Sequence, residues 1–181
     1  MEPVSLKDTK IIARQLGRPP RGLVAISKRC VHGYPQVVTV YPLLDGKPFP
    51  TLYWLTCPFL SRVIASLEAD GMIGRLEEEV RRDPNLAARL ARAHRSYIEE
   101  RMRLLSRDDI AFLEENAMLH ALLERGIGGI ADFTRIKCLH LHVAHALVRE
   151  NPIGEAVLKS LTQHECPPGE VICALFQEER A

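Results

Sequence analysis

The 181-residue chain changes its hydrophobic period near Thr56, and that change limits the folds open to it. Between Gly22 and Thr56 lie three β-branched and aromatic runs, "LVAISKR", "QVVTVYP" and "TLYWLT". Such residues suit a pleated, half-buried surface. "CVHGYP" and "LLDGKPFP" separate them, both rich in turn formers, and Asp45-Gly46 is a hairpin signal. After Thr56 the pattern is helical almost to the end. The expected fold class is α+β: a small three-stranded antiparallel sheet packed with a predominantly helical C-terminal two-thirds.

Punctuating residues divide the chain further. Ser5 with Asp8 approximates a capping box and Gly17 marks a stop, so residues 5–17 read as a short helix. "RPPRG" then breaks the chain. Thr56 or Cys57 caps a helix that carries Pro58 in its first turn and ends at Gly71. Helices are expected over 73–82, from Asp83-Pro84 to about Leu105, and from Ser106 to Gly126, the last two suited to an αα-hairpin. "GIGGIADF" reads as a flexible joint. The helix after it stops at Asn151-Pro152, and a last one covers 153–161. The expected organisation is one domain over 1–181, with a sheet region at 21–56, a helical region at 57–162 and a tail at 163–181.

A formal net charge of +1 supplies no global field for nucleic acid or an anionic membrane. The basic stretch "RQLGRPPR" reads as a solvated loop. No apolar run approaches the roughly 18 residues of a membrane span. The N-terminus lacks the apolar core of a signal peptide, so a cytoplasmic protein is expected. Its five cysteines would there be mostly reduced.

The densest chemistry lies in "TRIKCLHLHVAHALV", residues 134–148. On a helix starting from Cys138, His142 falls at about 40° and His145 at about −20°, one narrow stripe, with His140 at about 200°. Thiolate and neutral imidazole suit Zn²⁺, with iron–sulfur as the other metal option. One helix rarely supplies four ligands. Cys30 ends the first strand and Cys57 ends the third, so both are candidates to complete a site. A second chemistry fits the same residues: Cys138, at a helix start after Arg135 and Lys137, could be a nucleophilic thiolate paired with histidine. A third uses Arg135 and Lys137, behind the glycine-rich loop, to bind a small phosphate or carboxylate. His32 reads as a turn residue, and His94 and His120 as surface or interhelical groups. Cys166 and Cys173 flank "PPGEVI" in what reads as an ordinary tail.

Four blocks carry a resemblance. They are "RC..G.P.VV" from Arg29, "DG.PFPTLYWLTCP" from Asp45, "KCLH....AH" from Lys137 and "NP.G" from Asn151. With these the chain resembles the bacterial family catalogued as domain of unknown function 501, over about residues 21–154. The resemblance brings no activity with it, but it selects Cys30, Cys57, Cys138, His140 and His145. That composition implies a Cys₃His site, with His142 a further candidate. Three functions compete: a structural or regulatory metal domain first, then a small enzyme using a thiolate or open metal on an anionic substrate, then a helical interaction module without a site. Four protein ligands would favour the first. Three in a pocket would favour the second.

Overall fold

A computed structural model describes residues 2–176. Of the expected tail, residues 177–181 lie outside the described residues. The α+β class holds. Helix α1 (Leu6–Leu16) forms where the capping box is expected: the Ser5 hydroxyl accepts the Asp8 N–H at 3.1 Å, and Asp8 accepts the Ser5 N–H at 3.2 Å. Gly17 closes it in the left-handed conformation.

Strands β1 (Leu23–Arg29) and β2 (Pro35–Val40) pair antiparallel, and β2 pairs antiparallel with β5 (Tyr53–Leu55), giving the order β1-β2-β5. Every residue of β2 is buried, as befits the central strand. The Asp45-Gly46 signal marks a separate small hairpin, β3 (Leu43–Leu44) with β4 (Lys47–Pro48), inserted between β2 and β5. Both turn residues have positive φ, 50° and 72°, which this tight turn requires.

Helices α2 (Pro58–Ala69), α3 (Met72–Arg82) and α4 (Pro84–Leu104) follow the expected boundaries closely. The single helix expected from Ser106 to Gly126 is instead two, α5 (Arg107–Glu115) and α6 (His120–Leu123). The chain turns between them at Asn116 and at Ala117, whose φ is 54°. Helices α7 (Leu139–Ala146) and α8 (Pro152–Ser160) complete the set. The principal core joins Val37 and Leu55 of the sheet to Leu60, Leu90, Tyr97, Val143 and Val157 of the helices.

The glycine-rich stretch is packed rather than a loose joint. Ile127 and Gly128 are buried. A Cβ on Gly126 would stand 2.3 Å from His94 Nδ1, so only glycine admits this approach. The fully buried Arg101 of α4 holds the same stretch through the carbonyls of Pro50 at 2.7 Å and Arg125 at 2.5 Å, and that of Leu122. One guanidinium thereby satisfies three carbonyls that no helix or strand pairs.

Candidate functional site at the junction of α2 and α7

Cys138 is the N-cap of α7, with extended backbone angles of φ −161° and ψ 143°. A helical wheel therefore does not apply to it, and the expected stripe of Cys138, His142 and His145 does not form. The side chain of His140, which the wheel puts on the far side, meets Cys138 instead. Glu68, near the end of α2, completes the group: ligand atoms of Glu68, Cys138 and His140 all lie within 4.8 Å of one another. All three residues are half-buried.

Each position has a local cause. The N-terminus of α7 leaves amides without helical partners, and Glu68 Oε1 accepts the Leu139 N–H at 2.5 Å. Glu77 of α3 does the same for Ile136 at 2.8 Å. Two carboxylates from neighbouring helices thus anchor the approach to α7. His140 Nδ1 lies 3.2 Å from Glu68 Oε1, and its Nε2 lies 3.1 Å from the Ser61 carbonyl oxygen. A carbonyl only accepts, so Nε2 carries a proton and Nδ1 is the nitrogen turned to the cluster. Cys138, the Ser61 carbonyl and Glu68 together raise the pKa of His140 to about 9, against the opposing effect of burial.

The other sequence candidates go elsewhere. His142 and His145 are fully buried and share Asn151: its Oδ1 and Nδ2 each stand 3.3 Å from His142 Nδ1, and its Nδ2 donates to His145 Nδ1 at 3.1 Å. The ring of His145 stacks on Tyr53 and meets Tyr97 edge-on. His94, expected at a surface or between helices, is also fully buried, and its Nδ1 accepts the Ile127 N–H at 3.0 Å. Burial lowers the pKa values of His94 and His145 to about 3 and of His142 to about 4. The Nε2 atoms of all three have no hydrogen-bond partner among the described residues. They do not make a three-histidine metal site. His94 and His145 accept at Nδ1, so their Nε2 atoms carry protons and offer no lone pair.

Cys30 and Cys57 stand apart from Cys138. Neither belongs to the group whose ligand atoms lie within 4.8 Å of one another, and Cys57 is the N-cap of α2. Arg135 pairs with Glu77 at 3.0 Å, and Lys137 Nζ donates to the Gly128 carbonyl at 3.0 Å. The two expected anion-binding cations thus have partners within the chain. Sequence reasoning missed Glu68, which carries no signal beyond its place in an amphipathic helix. It also read Asn151 only as a helix stop.

The arrangement defines a class: a small antiparallel sheet under a helical layer, with a Glu–Cys–His cluster where two helices meet. The family described as "Protein of unknown function (DUF501)" matches residues 26–159, most of the chain, and the chain belongs to it. No curated protein and no solved structure matches it. Among the described residues, no helix is long and apolar enough to cross a membrane.

Proposed function

We propose that this protein is a metal-binding α+β domain whose ion, Zn²⁺ before other divalent metals, is held by Cys138, His140 Nδ1 and Glu68. The observation that carries this reading is the convergence of three ligand atoms from two distant segments within 4.8 Å. Thiolate, imidazole and carboxylate are the three donor types zinc accepts. The hydrogen bond from His140 Nε2 to the Ser61 carbonyl is the outer contact that commonly orients a ligating histidine. Three protein donors leave a fourth position for water, which suits an exchangeable ion better than a closed structural one. Glu68 and His140 also join α2 to the first turn of α7. An ion there would fix that junction, which supports a regulatory role.

One observation favours a second reading. The His140 imidazole, its pKa raised to about 9 with Cys138 the first cause, stands beside that thiol as in a nucleophilic Cys–His pair. One experiment separates the two: alkylation of Cys138 by iodoacetamide, followed peptide by peptide with mass spectrometry. The metal reading expects stoichiometric zinc to slow alkylation of Cys138 at least tenfold, and His140→Ala to abolish that protection. Fast alkylation undiminished by excess zinc, slowed instead by His140→Ala, would replace the metal with the nucleophile.

A further inference from the structure

Four of the five cysteines, all with free thiols, lie outside the cluster just described. They come from four separate stretches. Cys30 opens the turn after β1: its N–H donates to the Tyr34 carbonyl at 2.9 Å, and its own carbonyl accepts the Gly33 N–H at 2.9 Å. Cys57 is the N-cap of α2. Cys166 and Cys173 lie in the segment after α8, Cys173 in a short 3₁₀ turn over Ile172–Phe176.

The carbonyl of Pro35, at the end of the Cys30 turn, ties these stretches together. Gln15 Nε2 donates to it at 2.8 Å and stands 3.2 Å from Cys173 Sγ. Thr56, the residue before Cys57, donates its hydroxyl to the same carbonyl at 3.2 Å. His32, inside the turn, places Nε2 2.8 Å from the Cys166 carbonyl. The tail is thereby strapped across the turn. The charges of Cys166 and Cys173 would both be felt at the Cys57 thiol, and those of Cys30 and Cys166 at Cys173. Burial pushes the Cys57 thiol up to about 11, against the lowering effect of the Leu60 and Phe59 amides at the start of α2. Four thiols are the donor count of a closed tetrahedral zinc or iron–thiolate site.

We propose that Cys30, Cys57, Cys166 and Cys173 form a second, all-thiolate Zn²⁺ centre that staples the C-terminal segment to the sheet and to α2. On binding, the four thiols lose their protons to solvent and the ion takes four sulfurs. No three of these sulfurs lie within 4.8 Å of one another, whereas tetrahedral zinc holds them roughly 4 Å apart. A single χ1 rotation moves a sulfur by about 3 Å, and the Pro167-Pro168-Gly169 segment lacks regular structure to resist a small shift. Closing the site therefore needs local adjustment of the tail. The proposal is independent of the Glu68–Cys138–His140 reading, since no residue is shared. Cys166 and Cys173 also lie beyond the residues that the family covers.

The test uses the full chain carrying Cys138→Ser, which removes the only other cysteine. Reduced protein is titrated with Zn²⁺ against a chromophoric chelator, and the loaded sample is examined by zinc X-ray absorption. One equivalent is expected, bound through four sulfurs at about 2.3 Å. Adding Cys173→Ser should weaken binding at least tenfold and leave the metal-free circular dichroism and melting unchanged. Zinc should also slow proteolysis after Leu161 in Cys138→Ser but not in the double variant. Failure of Cys138→Ser to take up zinc would overturn the proposal. So would an absorption spectrum dominated by nitrogen and oxygen donors. A disulfide within the four in freshly isolated protein, with no zinc uptake after reduction, would assign the cluster to redox chemistry instead. None of these results bears on zinc protection of Cys138 in the wild type.

Discussion

Asn151 does three things at once. Its Oδ1 accepts the Gly154 N–H at 2.9 Å and so caps α8, while its side chain meets the Nδ1 atoms of His142 and His145. Asn151→Ala removes the cap and strands two buried ring nitrogens. A loss of about 2–4 kcal/mol is expected, read from urea denaturation. The three core histidines give a second prediction. Each is held neutral in the fold, with pKa values of about 3 to 4 against an unfolded value near 6.5. The unfolded chain takes up protons that the folded chain refuses. Stability is therefore complete above about pH 6.5 and falls as pH drops toward 4, by up to about 1.4 kcal/mol per pH unit for each histidine. Asp8, held down to about 2 chiefly by Arg29, acts only in a lower window, below about pH 4. Urea midpoints measured from pH 7 to 4.5 would show the decline. A flat profile between 6.5 and 5 would contradict the neutral histidine core.

At the scale of elements, α7 and α8 pack through a glycine. A Cβ on Gly154 would stand 2.2 Å from the His142 carbonyl oxygen and 2.5 Å from Ala146 Cβ. Gly154→Ala must push the helices apart, with an expected loss of about 3 kcal/mol. Gly74, inside α3, has nothing within 4 Å of its Cβ position, and Gly74→Ala should instead stabilise by about 0.5–1 kcal/mol. Paired melting curves test both signs. Elements were legible where local chemistry decides them. The capping box at Ser5, the Asp83-Pro84 entry to α4 and the stop before α8 are all properties of adjacent residues. The break between α5 and α6 was not legible, because Asn116-Ala117 contains no glycine or proline to announce it. The start of α7 was misjudged for a related reason. Carboxylates from α2 and α3 meet its first amide and that of Ile136 just before it, and these partners are distant in sequence.

At the scale of the molecule, the site split along the length of α2. Of the residues that the sequence singled out over 134–148, Cys138 and His140 lie together in the group with Glu68. The sequence could not show that the alternate side of α7 is core. His142 and His145 look like ligands in a string of letters, but the sheet and α8 bury them. Helix α2, roughly 18 Å long by its residue count, separates the Cys57 end from the Glu68 end. The Glu68–Cys138–His140 group and the proposed thiol centre share no residue.

The most direct measurement is zinc-edge anomalous diffraction from crystals of the reduced, zinc-loaded protein. The account predicts a peak at the α2–α7 junction, about 2.3 Å from Cys138 Sγ and about 2.1 Å from His140 Nδ1, with Glu68 as the third protein donor. A map in which Cys138, His140 and Glu68 keep their hydrogen bonds and no anomalous peak lies among them would contradict it.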